Sequence, residues 1–143
     1  MADKLNILFL CTGNSCRSQM AEGFARALKG GVLEPYSAGV DPKGMNPLAV
    51  RAMQEAGVDI SRGTSKHVDA LREVDFDIVV TVCGHADETC PAFPGKTRVV
   101  HIGFDDPPQL AKDAKTDDEA MVHYRRVRDE VRAWVATLPE SLG

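Results

Sequence analysis

The sequence predicts a single α/β domain organised around a parallel sheet. Its 143 residues suit one domain. Short apolar runs of strand length alternate with amphipathic segments of helical length, which is typical of βαβ units. The net charge of −4 argues against a broadly basic nucleic-acid-binding protein. No apolar run approaches the roughly 18 residues of a membrane helix, so we expect neither nucleic acid nor membrane as a partner.

The first half of the chain predicts two strands and two helices. Residues 5–10 form a continuous apolar run, as expected for a strand buried on both faces. A helix is predicted over 18–29, where the Gly30-Gly31 pair ends it. Residues 33–37 form a short strand that Pro35 places at a sheet edge. Asn46 then caps a second helix, which begins at Pro47.

The second half predicts two more strands, two long loops and a terminal helix. The strands are residues 77–82 and 98–102, and each is followed by a loop, over 83–96 and 103–115. Both loops leave carboxyl ends of strands, where open α/β sheets bind their ligands. Thr116 and Glu119 form a capping box at the start of the last helix, which extends to about residue 138.

The strongest functional signal is the loop between the first strand and the first helix. Its small residues turn backbone N–H groups toward one point, and the helix dipole adds positive potential there. A tetrahedral oxyanion fits such a loop, and Arg17 offers a bidentate fork. Cys11 would lie below the anion as a thiolate nucleophile, with the Ser18 hydroxyl donating to its sulfur. The predicted oxyanion-binding residues are Thr12, Gly13, Asn14, Ser15, Cys16, Arg17 and Ser18.

The cysteines indicate metal, catalytic or redox chemistry in a reducing compartment, and we expect a cytoplasmic protein. The four are Cys11, Cys16, Cys83 and Cys90. Cys16 is interpreted as a small space-filling residue of the loop. A zinc site would use Cys83, His85, Cys90 and His101, but the spacing of the cysteines is not that of a zinc knuckle. We therefore expect no metal site.

Three segments give the chain its resemblance to a known family. The segment CTGNSCRSQMAEG, the Cys83 and Cys90 pair and the segment GFDDP closely resemble those of thioredoxin-coupled arsenate reductases, which share the low-molecular-weight tyrosine phosphatase fold. The resemblance extends from residue 7 to about residue 134. It implies a three-layer fold, in which a four-stranded parallel sheet is flanked by helices on both faces.

The resemblance also implies a role for each site residue. Cys11 matches the cysteine that attacks arsenate. Asp106 matches the general acid, which is the aspartate of an Asp-Pro pair in that family; Asp105 is the alternative. Cys83 then attacks Cys11, which gives a transient Cys11–Cys83 disulfide and releases arsenite. Cys90 attacks Cys83, and the final Cys83–Cys90 disulfide is reduced by thioredoxin. Glutaredoxin or another thiol system remains an alternative reductant.

Two other functions use the same residues. A low-molecular-weight tyrosine phosphatase would need Cys11, Arg17 and Asp106, but such enzymes commonly carry aromatic residues after the Asp-Pro pair. Here the residues are Pro108, Gln109 and Leu110. The third possibility is a redox-gated phosphate-binding protein without enzymatic activity.

Some members of the family bind potassium behind the anion loop. The matching positions here are Asn14, Glu22, Ser37 and Thr64, but Lys66 stands where those members have an acidic residue. A lysine ammonium carries the same charge as potassium and offers three donors. We therefore expect Lys66, reaching toward Glu22, to replace the ion. We expect no bound cofactor and a monomeric protein.

Overall fold

The structure is a computed structural model that describes residues 4–83, 93 and 95–142. Within these residues the four strands that the sequence predicts are present. The strands are β1 (Leu5–Cys11), β2 (Leu33–Gly39), β3 (Ile78–Thr81) and β4 (Arg98–His101). The α-helices are α1 (Arg17–Lys29), α2 (Pro47–Glu55), α3 (Pro107–Leu110) and α4 (Asp117–Val135). Short 3₁₀ segments lie at Val68–Leu71 and Glu140–Leu142.

The four strands form one parallel sheet in the order β2-β1-β3-β4. Residues Ile7, Leu8, Phe9 and Leu10 of the central strand β1 are fully buried, as expected for a strand covered on both faces. Strand β2 lies at one edge, as Pro35 predicts. The carboxyl ends of the strands come together, because Cys11 pairs with Gly39 and Leu10 pairs with Thr81.

Both faces of the sheet are packed. Phe9 lies edge-on to Trp134 of α4, at a ring distance of 6.0 Å. Neighbouring residues of a strand point to opposite faces, and Tyr36 pairs with Leu8, the residue before Phe9. Tyr36 therefore lies on the other face, where it contacts Phe76 at 5.4 Å. The predicted parallel sheet flanked by helices is confirmed.

Some predicted boundaries differ from the structure. Strand β2 continues two residues beyond 37, because it stays paired with β1 as far as Gly39. The predicted loop 103–115 contains the short helix α3, which begins at Pro107. Of the predicted loop 83–96, residues 84–92 and 94 lie outside the described residues. No helix in the described part of the chain is long and apolar enough to cross a membrane.

Candidate active site

The segment that follows β2 binds the backbone carbonyl groups of the loop between β1 and α1. The carbonyls of Cys11, Thr12, Gly13 and Ser15 accept hydrogen bonds from the backbone N–H groups of Val40, Asp41, Lys43 and Asn46, at 2.8–3.2 Å. The N–H of a trans peptide points away from the carbonyl of the same peptide unit. Because the carbonyls point outward to this neighbouring segment, the loop amides turn inward toward a common centre, as an oxyanion requires.

Asn14 fixes the turn of the loop. It is fully buried, with a left-handed φ of +48° that asparagine tolerates better than most residues. Its Oδ1 accepts from the Lys66 backbone N–H at 2.9 Å, and its Nδ2 donates to Ser18 Oγ at 2.9 Å. Gly39 allows the loop to approach β2, because a Cβ there would lie 2.6 Å from the Thr12 carbonyl oxygen. The loop shape therefore depends on partners distant in sequence.

Cys11 lies at the bottom of this loop, at the end of β1. It is only 3% exposed, and its Sγ lies 3.0 Å from Ser18 Oγ. Since Asn14 donates to the Ser18 oxygen, the Ser18 hydroxyl proton is directed to the Cys11 sulfur. The Cys11 sulfur thus lies at a position from which a nucleophile can attack an anion held in the loop.

Arg17 and Asp106 lie together at the cavity above Cys11. Arg17 donates to the Phe104 carbonyl oxygen at 3.0 Å, and its Nη2 lies 3.5 Å from Asp106 Oδ1. Asp105 instead pairs with Arg126 of α4 at 3.1 Å. The geometry thus favours Asp106 over Asp105 as the acid. The cavity has a volume of about 320 Å³, and its wall includes Cys11, Arg17 and Asp106.

Cys83 lies at the same edge of the sheet, just beyond β3. It is 5% exposed, and its Sγ lies 3.2 Å from the hydroxyl of Thr12, the residue that follows Cys11. Cys90 and His85 lie outside the described residues. His101, the remaining residue of the zinc alternative, hydrogen-bonds Thr81 through Nδ1 at 2.9 Å.

Cys16 occupies the N-cap position of α1 and is 3% exposed. Burial raises the pKa of its thiol far above the usual range, and the nearby Asp106 and Cys11 act in the same direction. The Cys16 side chain therefore stays protonated at neutral pH, in keeping with the space-filling interpretation. Cys11 and Cys16 are free thiols.

Lys66 lies behind the loop, but its contacts differ from the expected ones. Its Nζ donates to the Thr64 carbonyl oxygen at 2.9 Å. The Glu22 carboxylate accepts from Ser37 Oγ at 2.6 Å and pairs with Arg26 at 2.8 Å. Arg26 thus makes the direct contact with Glu22 that the sequence assigns to Lys66. Burial lowers the pKa of Lys66, and Glu22 acts in the opposite direction.

Sequence reasoning misses one charged residue of the cavity wall. Lys43 lies in the segment between β2 and α2 and lines the same cavity as Cys11. No local pattern distinguishes it from other surface lysines of the chain. Its only distinguishing feature is its place four residues after Gly39, the last residue of β2.

Comparisons with known proteins agree with this geometry. Residues 6–143 match the family described as low molecular weight phosphotyrosine protein phosphatase. A protein of Halalkalibacterium halodurans named arsenate reductase is 50% identical over 139 residues, which are 97% of this chain and 98% of the relative. An arsenate reductase of Bacillus subtilis (strain 168) is 49% identical over 125 residues, 87% of this chain and 88% of the relative.

A solved structure adds a second kind of similarity. It is described as an arsenate reductase in the phosphate binding state, and it superposes on this chain with a TM-score of 0.75 at 30% identity. The match covers 97% of this chain and 99% of the other. The arrangement of the sheet and the helices therefore recurs in a related protein.

Proposed function

Because this chain belongs to the low molecular weight phosphotyrosine protein phosphatase family and is half identical to an arsenate reductase, we propose that it reduces arsenate to arsenite. The observation that carries the proposal is the pair of buried thiols at one sheet edge. Cys11 lies under the anion loop, and Cys83 is hydrogen-bonded to the next residue, Thr12. Hydrolysis of a phosphate ester needs one such thiol, whereas a two-electron reduction needs two.

The first step is attack by the Cys11 thiolate on arsenic. An S–As bond forms and an As–O bond breaks, and Asp106 protonates the departing oxygen, which leaves as water. The loop amides and Arg17 hold the oxyanion and stabilise the charge that develops on its oxygens. The contacts that support this step are the Ser18 hydrogen bond to Cys11 and the position of Asp106 beside Arg17.

The second step is the reduction itself. The Cys83 thiolate attacks Cys11 Sγ, so an S–S bond forms while the S–As bond breaks. The electron pair of the S–As bond stays on arsenic, which leaves as arsenite. The Thr12 hydroxyl, 3.2 Å from Cys83 Sγ, holds the second thiol near the loop.

The third step regenerates Cys11. Cys90 attacks Cys83, which gives a Cys83–Cys90 disulfide and frees the Cys11 thiolate. We propose thioredoxin as the reductant, because a protein disulfide is reduced by a dithiol partner through a mixed disulfide. The cycle also needs thiols that stay reduced, which is the condition of the cytoplasm.

Arsenite production by the purified protein tests the proposal. One reaction contains arsenate, thioredoxin, thioredoxin reductase and NADPH, and a parallel reaction contains glutathione and glutaredoxin instead. We expect NADPH oxidation and arsenite to rise together in the thioredoxin reaction. Arsenite in the second reaction alone would replace thioredoxin by the glutathione system. No arsenite in either reaction would leave a phosphate-binding protein or a phosphatase.

A second candidate function is phosphate-ester hydrolysis, since Cys11, Arg17 and Asp106 are the groups that such a reaction uses. The family match favours this activity as well. We expect it as a weak side reaction, because the residues that follow Asp106 and Pro107 offer no aromatic wall for a phenyl ring. Turnover of p-nitrophenyl phosphate compared with arsenate decides which reaction dominates.

We further propose that Lys66 removes the need for potassium behind the loop. Its ammonium donates to the Thr64 carbonyl oxygen, and both oxygens of the Glu22 carboxylate already have partners. A potassium ion would therefore meet two cations, Arg26 and Lys66, next to the only carboxylate of the matching positions.

A further inference from the structure

The cavity above Cys11 has two cationic side chains in its wall, Arg17 and Lys43. Arg17 is already engaged, because it donates to the Phe104 carbonyl oxygen and lies 3.5 Å from the Asp106 carboxylate. An arsenate or phosphate ion near neutral pH is a mixture of monoanion and dianion. Because Arg17 already has these two protein partners, a second cation would improve the binding of a dianion.

Lys43 is held at the rim of the loop by three contacts. Its backbone N–H donates to the Gly13 carbonyl oxygen at 2.9 Å. Its aliphatic stem covers Gly13, because a Cβ on that glycine would lie 3.0 Å from Lys43 Cγ. Its ammonium pairs with Asp41 at 2.8 Å, and both of these side chains are nearly two-thirds exposed. An ion pair so exposed contributes little free energy, so the ammonium is easily transferred to another anion.

We propose that Lys43 is an oxyanion-binding residue, whose ammonium leaves Asp41 and donates to the outer oxygens of the bound ion. The backbone and stem of Lys43 stay against Gly13, and only the end of the side chain moves. The identity of the ion as arsenate rests on the proposed function. The charge argument itself applies to any tetrahedral oxyanion in this loop.

This role makes Lys43 a determinant of specificity. The loop amides and Arg17 take the inner oxygens of the ion, whereas Lys43 approaches from the rim. A free oxyanion presents an ionised or hydroxyl oxygen there, but a monoester presents its esterified oxygen. Lys43 therefore favours free arsenate and phosphate over phosphate monoesters.

Calorimetric binding of inorganic phosphate tests the proposal. Lys43→Met keeps the stem on Gly13 and removes the charge, and Lys43→Arg restores a cation. The control is Lys4→Met. Lys4 is also exposed and pairs with a carboxylate, Glu34, at 3.8 Å, but it does not line the cavity. We expect Lys43→Met to weaken phosphate binding about tenfold, as for loss of one charge-assisted hydrogen bond. Lys43→Arg should recover most of it.

Two further readouts separate this role from a structural one. Lys43→Met should raise KM for arsenate by the same factor, with kcat near that of the unmodified chain and a smaller change for p-nitrophenyl phosphate. Asp41→Asn, which removes the competing carboxylate, should tighten phosphate binding. A thermal midpoint of Lys43→Met equal to that of Lys4→Met shows that the loop remains folded.

Equal phosphate affinities for Lys43→Met and Lys4→Met would overturn the proposal, and so would weaker binding by Asp41→Asn. Failure of the proposed function gives a different result. If the chain does not reduce arsenate but Lys43→Met still weakens phosphate binding, Lys43 keeps its role and the reductase assignment falls. If Lys43→Met and Lys4→Met reduce arsenate with the same KM, the proposed role of Lys43 is wrong and the reductase assignment stands.

Discussion

At the scale of single residues, Ser18 and Thr12 connect the two thiols to the anion loop. Ser18 donates to Cys11, and Thr12 hydrogen-bonds Cys83. The two sulfurs therefore face different tasks although they lie at the same sheet edge. Cys11 alone lies under the converging amides, where a bound anion can react. In the proposed relay, Cys83 lies beside the loop and attacks Cys11 after the adduct has formed.

This difference predicts that the two cysteines separate the two reactions. Cys83→Ser should abolish arsenite production but retain p-nitrophenyl phosphate hydrolysis, because ester hydrolysis needs only Cys11, Arg17 and Asp106. Cys11→Ser should abolish both. The measurement is turnover of each substrate by each variant. Reductase turnover that survived in Cys83→Ser would disprove the proposed relay.

Cys90 gives a related prediction about the order of the thiols. Cys90→Ala should allow at most one turnover and accumulate a Cys11–Cys83 disulfide, because the third thiol is missing. In the unmodified chain the oxidised product should be Cys83–Cys90, with Cys16 a free thiol throughout. Mass spectrometry of the oxidised proteins identifies the linkages, and a different linkage in the variant would change the order of attack.

The charge behind the loop also acts at the residue scale. Replacing potassium by a bulky organic cation at constant ionic strength should leave turnover and the thermal midpoint unchanged, because Lys66 already donates to the Thr64 carbonyl oxygen. Lys66→Asp should create a requirement for potassium, since it removes one cation and adds a carboxylate near Glu22. A several-fold loss of activity without potassium in the unmodified chain would contradict this role of Lys66.

At the scale of elements, helix α4 contacts the segment that carries Asp106 through its Arg126 side chain. This side chain pairs with Asp105, the neighbour of the proposed acid Asp106. Arg17 fixes the same segment from the other side by donating to the Phe104 carbonyl oxygen. The acid is thus positioned by two elements, the start of α1 and the middle of α4.

Removal of this contact should affect the step that needs the acid. Arg126→Ala should lower kcat several-fold for alkyl phosphates, whose poor leaving groups need a proton, and much less for p-nitrophenyl phosphate. Arg125→Ala is the matched control, because Arg125 also lies on α4 but donates to Glu55 of α2 at 2.8 Å. If both variants showed the same dependence on the leaving group, Arg126 would have no positioning role.

At the scale of the whole molecule, an ion-pair network joins α2 to α4. Glu55 accepts from Arg125 and Arg128 of α4, and Arg51 lies one turn before it on α2. The Arg125 hydrogen bond is the main reason that the pKa of Glu55 is lowered. Helices α2 and α4 contact each other, and both also contact α1, the helix that follows the anion loop.

The lowered pKa of Glu55 fixes the sign of its effect on stability. A carboxylate with a lower pKa in the folded than in the unfolded state stabilises the fold above its unfolded pKa, and the effect is lost as pH falls through the folded value. Glu55→Gln should therefore lower the thermal midpoint at pH 7, and the difference should shrink below about pH 4, the region of an ordinary glutamate pKa. Glu73→Gln, at an exposed carboxylate outside this network, is the control. A difference that did not change with pH would contradict the prediction.

The sequence alone determines the elements whose signals are local. The apolar run of β1, the small residues of the loop and the amphipathic start of α1 are consecutive, so Cys11, Arg17 and Ser18 are predicted as one group. The pairing of Asn46 with Pro47 likewise predicts the start of α2, where the Asn46 side chain accepts from Leu48 and Ala49. In each case the interacting residues are a few positions apart.

Only the tertiary structure decides the contacts that join distant segments. The segment after β2 binds the outer carbonyls of the loop and brings Lys43 to its rim. Arg126 of α4 pairs with Asp105, so Asp106 is left as the carboxylate that lines the cavity. Arg26, rather than Lys66, contacts Glu22, because Arg26 and Glu22 lie one turn apart on α1. Such contacts depend on how the strands and helices pack. Where several charged partners are possible, the packing determines which of them a side chain contacts, and the neighbouring residues in the sequence do not.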